Sequence, residues 1–255
     1  MKVVILCGGQ GTRAYPYTRR IPKALMPVSG YPVLEQVMRI YASHGLSEFV
    51  LALGHMKEDI ERYAQTRDIA YSIECVDTGP TTDTGGRVRA CLDYVGDRFH
   101  CTYVDGLGDV DITALSDFHV ASGSAATLTA TPLRSQYGIL RFDGGDKVTD
   151  FVEKPVLPEY WINAGFFVFD REAIAGTRGE NLERDVLPSL ARRGLLSVYR
   201  HAGFWRSMDT YKDQQELDAL WSPYAAALEG MLQNAAHTQP EWLAERQALA
   251  HVENE

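Results

Sequence analysis

Residues 3–13, VVILCGGQGTR, and the Pro22-Lys23 pair after them are the most informative stretch of the sequence. Residues 3–6 are aliphatic with no polar alternation, which predicts a strand buried on both faces. Three glycines follow within four positions, and glycines let a ligand approach the backbone N–H groups closely. Thr12 adds a hydroxyl, and Arg13 adds a planar, permanently charged group that suits phosphate oxygens. The stretch therefore predicts a polyphosphate-binding turn after a buried strand.

Two common phosphate-binding motifs do not match this turn. The third glycine of the dinucleotide fingerprint is absent, and so is the P-loop ending of Gly-Lys followed by Ser or Thr. These mismatches disfavour a nicotinamide-dependent dehydrogenase and a P-loop NTPase. A tight strand-to-helix turn with no ligand stays open as the simplest alternative.

The composition is that of a globular protein. The chain has 255 residues, of which 45% are hydrophobic and 23% are charged. The net charge of −9 argues against a nucleic-acid binder. No apolar run approaches the ~20 residues that a membrane helix needs, and the first apolar run is too short for a signal peptide. The four cysteines occur singly, which predicts reduced thiols in a cytoplasmic protein.

Strand-like and helix-like patterns alternate along the chain. Apolar spacing predicts helices over 33–42 and 58–66, and buried strands over 49–53 and 69–73. This alternation predicts an α/β fold with a parallel sheet wrapped by helices, whose ligands collect at the carboxyl ends of the strands. Further elements are predicted as strands over 100–104, 125–132, 137–142, 148–152 and 161–169, and as helices over 88–94 and 182–192.

Two later segments carry groups that suit a nucleotide and a metal ion. Residues 76–87, VDTGPTTDTGGR, are rich in glycine and hydroxyl groups, which predicts either an ordinary loop with a helix cap or a loop against which a flat base can lie. Asp105 follows a predicted strand and precedes a glycine. It is either a turn residue or a ligand for Mg²⁺, which prefers carboxylates together with substrate phosphates.

Taken together, these motifs resemble the sugar-1-phosphate nucleotidyltransferases. The family pattern is Gly-Gly-x-Gly-Thr-Arg followed by a Pro-Lys-Pro-like segment, and here Ala24 replaces the second proline. Asp-Thr-Gly followed by Thr-Gly-Gly-Arg, within residues 77–87, is similar to the glucose-1-phosphate cytidylyltransferases. The match continues with Glu-Lys-Pro at 153–155, Asn-x-Gly-Phe-Phe at 163–167 and Gly-Phe-Trp at 203–205. The family's Tyr-Gly-Asp-Gly is altered, because Val104 replaces its glycine.

The resemblance implies a Rossmann-like, mostly parallel mixed sheet flanked by helices, as in nucleotide-diphospho-sugar transferases. It implies transfer from CTP to a sugar 1-phosphate, with glucose 1-phosphate as the expected acceptor and Mg²⁺ as the cofactor. The alternatives are UTP, dTTP, GTP or ATP as donor, another phosphorylated acceptor, and a relative that binds nucleotide sugars without turnover. A homo-oligomer is expected, with no nucleic-acid or membrane partner.

The resemblance also implies roles for individual residues. Arg13, Lys23 and Asp105 are expected to be catalytic, and Asp105 and Asp209 to hold the metal. Glu153, Lys154 and Asn163 are expected to bind the sugar phosphate. The expected nucleotide-binding residues are Leu6, Gly8, Gly9, Gly11, Thr12, Arg13, Lys23, Thr82, Gly85, Gly86 and Arg87. A nucleotidyltransferase domain over 1–221 and a C-terminal helical tail over 222–255 complete the prediction.

Overall fold

In a computed structural model of the chain, the described residues are 1–66, 71–232 and 241–252. The strands are β1 (Val3–Leu6), β2 (Pro27–Val28), β3 (Tyr31–Pro32), β4 (Glu48–Leu53), β5 (Ser72–Asp77), β6 (Arg98–Tyr103), β7 (Gly106–Gly108), β8 (Ala126–Arg134), β9 (Ile139–Phe142), β10 (Val148–Val152), β11 (Val156–Asp170), β12 (Leu196–Arg200) and β13 (Trp205–Ser207). The helices are α1 (Val33–Ala42), α2 (Lys57–Thr66), α3 (Thr84–Ala90), α4 (Ile112–Ser122), α5 (Arg171–Ala175), α6 (Leu187–Arg192), α7 (Tyr211–Leu232) and α8 (Glu241–Val252). Short 3₁₀ turns lie at Thr12–Ala14, Tyr17–Arg19, Lys23–Leu25 and Leu92–Tyr94, and a π-helical turn lies at Leu182–Val186.

Seven strands form the central sheet, in the order β12-β8-β11-β6-β1-β4-β5. The pairs β1–β4, β1–β6, β4–β5 and β12–β8 are parallel, and β11 runs antiparallel to both of its neighbours. The predicted Rossmann-like, mostly parallel mixed sheet is therefore confirmed.

Strand β1 lies in the middle of the core. Val3 and Ile5 point to the face covered by α1 and α7, while Val4 and Leu6 point to the face covered by α3 and α6. All four side chains are buried, as the unbroken apolar run predicts for a strand covered on both sides. Because the glycine turn follows β1 directly, it lies at the carboxyl-end edge of the sheet, near the middle of the strand order.

Several predicted boundaries were wrong. The strand predicted over 69–73 is β5 at Ser72–Asp77, where it pairs with β4 over the length of that strand; residues 69 and 70 lie outside the described part. The helix predicted from 88 begins at Thr84, because Asp83 caps it by accepting a hydrogen bond from Thr84 N at 2.7 Å. Strand β11 begins at Val156 rather than 161 because its first residues pair with the end of β8.

The C-terminal helices pack on the first half of the chain. Helix α7 runs unbroken across the predicted boundary at 221 and buries Leu217 and Trp221 in the α1-side core. Leu243 of α8 is buried, and the side-chain amide of Gln247 donates to Leu25 O at 2.8 Å. Helix α8 therefore supports the 3₁₀ turn that carries Lys23. Within the described ranges, no helix combines the length and apolar character needed to cross a bilayer.

Candidate active site

A cleft of about 820 Å³ opens where the carboxyl ends of β1 and β6 meet the loops that follow them. Its wall is formed by residues 6–13, 23–24, 80–84 and 103–106, together with Arg87, Asn163, Ala164, Glu183, Trp205, Ser207 and Asp209. The structure thus brings the two glycine-rich loops and both predicted metal ligands to one place. Of the predicted nucleotide-binding residues, Leu6, Gly8, Gly9, Gly11, Thr12, Arg13, Lys23, Thr82 and Arg87 line this cleft.

The first loop is shaped by its glycines. Gly11 has a φ of +63°, and a Cβ there would lie 3.2 Å from the side chains of both Lys23 and Thr18. The Thr18 hydroxyl donates to Gly11 O at 2.8 Å and fixes the turn. A Cβ on Gly9 would have no neighbour within 4 Å. Gly9 therefore leaves room on the cleft wall, whereas Gly11 is required by backbone geometry and by the approach of the Lys23 segment.

Four charged side chains meet at the mouth of this loop. The Lys23 ammonium lies 2.6 Å from Asp105 Oδ2 and 3.2 Å from Asp209 Oδ1. Arg13 contacts the same oxygen of Asp209 at 2.8 Å, with its own side chain 71% exposed. The Lys23 side chain is only 11% exposed. Lys23 is therefore held in place by two carboxylates, while Arg13 extends into solvent and can turn toward a bound anion.

Asp105 and Asp209, far apart in the sequence, are brought together by strand pairing. Strand β7 begins right after Asp105, and β13 ends two residues before Asp209. The two strands are antiparallel, with Ser207 opposite Gly106, and Met208 N donates to Asp105 O at 2.8 Å. This small ribbon is what places both carboxylates beside Lys23.

The pair of aspartates fits a divalent cation. Both carboxylates already contact one cationic group, the Lys23 ammonium. Within the described ranges, no cluster of three or more His, Cys, Asp or Glu side chains is arranged for a metal. Two carboxylates that share a cleft with a phosphate-binding loop are the donor set that Mg²⁺ takes when substrate phosphates and water supply its other ligands.

The second loop caps α3 and carries part of the cleft wall. Thr82 lines the cleft, and its hydroxyl donates to Thr78 O at 2.5 Å. Gly85 and Gly86 are not among the described residues that line the cleft, and their predicted contact with the nucleotide stays a prediction. A Cβ on Gly85 would lie 2.9 Å from Glu180 O, and one on Gly86 would lie 2.6 Å from Glu180 Oε2. These glycines therefore allow the segment that precedes α6 to pack against α3.

The guanidinium of Arg87 is almost fully committed to protein oxygens. It donates to Gly8 O at 3.0 Å, Leu53 O at 2.9 Å and Gly79 O at 3.0 Å, and also to the hydroxyl of Thr78. A Cβ on Gly8 would overlap this guanidinium. Arg87 thus joins both glycine loops to the end of β4, and its predicted contact with the nucleotide stays a prediction.

The predicted sugar-binding residues are only partly brought together. Asn163 lines the cleft, and its side-chain amide donates to the Tyr103 hydroxyl at 3.3 Å. Glu153 and Lys154 lie beyond β10, and neither is among the described residues that line the cleft. Their position follows from the β9–β10 hairpin, which forms a separate two-stranded sheet. The prediction that they bind the acceptor phosphate is not supported by this arrangement within one chain.

Glu183 lines the cleft, although no motif in the sequence indicated it. It lies in a segment predicted as regular helix over 182–192. The structure has a π-helical turn at Leu182–Val186, capped by Asn181, whose side chain accepts from Arg184 N at 2.7 Å. Such turns are frequent at functional sites. The sequence signal available here was Asn181, a typical N-cap residue three positions before Arg184, which indicates that a helical turn begins at this point.

The model of the nucleotidyl transferase family matches residues 2–221. The chain is 36% identical over 247 residues to the glucose-1-phosphate cytidylyltransferase of Salmonella typhi, covering 87% of this chain and 96% of that protein. It is 31% identical to the UTP–glucose-1-phosphate uridylyltransferase of Synechocystis sp., covering 76% of this chain and 56% of that protein. The crystal structure of HddC from Yersinia pseudotuberculosis has a TM-score of 0.67 at 21% identity, covering 86% of this chain and 99% of that one, and shares the fold. The chain therefore belongs to the nucleotidyl transferase family, and within it to the sugar-1-phosphate nucleotidyltransferases that resemble glucose-1-phosphate cytidylyltransferase.

Proposed function

We propose that this protein transfers the cytidylyl group of CTP to the phosphate of glucose 1-phosphate and releases pyrophosphate. A phosphate oxygen of the sugar forms a bond to the α-phosphorus of CTP, and the bond from that phosphorus to the α–β bridging oxygen breaks. The electron pair leaves with pyrophosphate. The observation that carries the proposal is the convergence of Arg13, Lys23, Asp105 and Asp209 at the mouth of the first glycine loop.

Each of these side chains has a role in charge stabilisation. Reactions of this kind depend on positioning and electrostatics and need no protein nucleophile. Lys23 balances charge at the α-phosphate, and Arg13 balances charge on the departing pyrophosphate. Asp105 and Asp209 would hold Mg²⁺, which supplies positive charge to the reacting phosphates when bound. The N–H groups of the first loop, with the Thr12 hydroxyl, bind the triphosphate.

The same transfer from another nucleoside triphosphate is the second candidate. Val104 lies on the cleft wall with its side chain packed into the core, and it stands where the family pattern has glycine. A relative with 31% identity carries the name of a uridylyltransferase. The choice of base therefore requires a direct test.

Pyrophosphate release is expected to be fastest with CTP and glucose 1-phosphate. The assay crosses CTP, UTP, dTTP, GTP and ATP with a set of sugar 1-phosphates, with Mg²⁺ and with EDTA. EDTA is expected to abolish turnover, and added Mg²⁺ to restore it. A higher kcat/KM with another triphosphate would overturn the assignment of the base. No release with any pair would overturn the proposed function.

We also propose that the protein self-associates through its β9–β10 hairpin and works in the cytoplasm. Leu140, Phe142, Val148 and Phe151 on this hairpin are 46–62% exposed, and clustered exposed apolar side chains mark association surfaces. The four cysteines are all free thiols, which suits a reducing compartment.

Sedimentation equilibrium is expected to give a mass that is a multiple of the single chain. A variant with Phe142→Glu and Phe151→Glu is expected to sediment as a monomer, because the two charges would be buried at the interface. A wild-type protein that sediments as a monomer would rule out this association.

A further inference from the structure

One chain of hydrogen bonds crosses the cleft wall from the second loop to the strand that carries Asn163. Leu182 N donates to the Thr84 hydroxyl at 2.8 Å, and that hydroxyl donates to Glu183 Oε2 at 2.9 Å. The other carboxylate oxygen of Glu183 accepts from the Tyr103 hydroxyl. The Tyr103 oxygen accepts in turn from Asn163 Nδ2 at 3.3 Å. Glu183 is therefore the member on which two hydroxyl donors converge.

The direction of every bond in this chain is determined. Gly165 N donates to Asn163 Oδ1 at 2.9 Å, so the amide nitrogen of Asn163 must face Tyr103. Gly165 has a φ of +81°, and a Cβ there would lie 2.4 Å from the Tyr103 ring, so the glycine is what admits the ring. The proton of the Tyr103 hydroxyl is left for Glu183. Burial and the nearby Glu183 carboxylate raise the pKa of Tyr103, which keeps that proton in place at neutral pH.

These hydrogen bonds use only part of the hydrogen-bonding capacity of Glu183 and Asn163. A carboxylate can accept about four hydrogen bonds, and Glu183 uses two of these positions within the protein. A side-chain amide has two N–H groups, and Asn163 uses one of them on Tyr103. Glu183 is exposed and lines the cleft. The wall therefore presents a charged acceptor beside a neutral donor, which suits a sugar hydroxyl.

We infer that Glu183 determines acceptor specificity: its carboxylate binds a hydroxyl of the sugar 1-phosphate and disfavours sugars that carry an additional negative charge. The inference rests on the proposed function and extends it to a residue outside the family motifs. A carboxylate at this position strengthens a hydrogen bond from a neutral hydroxyl and repels a carboxylate on the sugar. Glu183 is linked through Tyr103 to Asn163, the predicted sugar-binding residue that lines the cleft, so we assign it to the acceptor rather than to the ribose.

Glu183→Gln is expected to change acceptor use in two ways. Loss of the charged hydrogen bond is expected to raise KM for glucose 1-phosphate about tenfold or more, with little change in KM for CTP. Loss of the negative charge is expected to raise kcat/KM for glucuronic acid 1-phosphate relative to glucose 1-phosphate by about tenfold. A purely structural defect would lower both activities together and would not produce this change in the ratio.

Two further variants make the result decisive. Tyr103→Phe removes a neutral donor and keeps the Glu183 charge, so KM for glucose 1-phosphate is expected to rise while the discrimination against the acidic sugar is retained. Glu159→Gln, an exposed Glu outside the cleft wall, is expected to behave as wild type. A Glu183→Gln variant with unchanged KM and sugar ratio, or with a rise in KM for CTP alone, would overturn the inference. If the wild type turned over no sugar 1-phosphate, the proposed function itself would fail instead.

Discussion

Lys23→Met is expected to lower kcat by a factor on the order of 10²–10³, the usual effect of removing one preorganised charge from a transition state. The Lys23 ammonium is held by Asp105 and Asp209 at 2.6 and 3.2 Å, with its side chain only 11% exposed. It is therefore positioned before any substrate arrives, and no other cation in the described part of the chain contacts both carboxylates. Methionine keeps most of the side-chain volume and removes the charge.

The measurement is steady-state pyrophosphate release at saturating CTP and sugar 1-phosphate, with circular dichroism to confirm folding. Lys212→Met is the matched control, because Lys212 is 74% exposed and pairs with Glu216 on the surface of α7, away from the cleft wall. A folded Lys23→Met protein whose kcat lies within threefold of wild type would show that Lys23 does not stabilise the transition state.

Arg87→Met is expected to lower the free energy of unfolding by about 3 kcal/mol, because it removes the shared donor of several buried oxygens. The guanidinium joins Gly8 O, Leu53 O and Gly79 O. Gly8 O and Leu53 O have other backbone donors, His55 N and Thr78 N, so the loss is smaller than three unsatisfied carbonyl groups would give. Urea denaturation followed by circular dichroism measures it.

Arg13→Met provides the complementary result. Arg13 is 71% exposed, so its replacement is expected to change the free energy of unfolding by less than about 0.5 kcal/mol while lowering kcat on the order of 10²–10³.

If Arg87→Met kept wild-type stability and instead raised KM for CTP strongly, Arg87 would be a direct nucleotide ligand, as the family resemblance implies.

The order of residues was enough to predict the fold class and the glycine turn that lines the cleft. The apolar run at 3–6 and the alternation of helical and strand periods are local patterns. Each pattern indicates the type of element and the face that it buries. The turn at 8–13 was found because glycine, threonine and arginine carry their chemistry in their side chains or in the lack of one. The expected roles of Asp209 and Asn163 came from motif resemblance, since neither has a local pattern that would distinguish it.

Only the tertiary structure decided which of these groups meet. Asp105 reaches Asp209 because β7 pairs with β13, and a pairing between distant strands leaves no trace in local spacing. Gly85 and Gly86 face Glu180, and Glu153 and Lys154 follow directly after the separate β9–β10 hairpin, because long-range packing sets the position of each segment. Glu183 lies on the cleft wall in a π-helical turn. Such a turn differs from a regular helix in its hydrogen-bond register, which composition does not reveal.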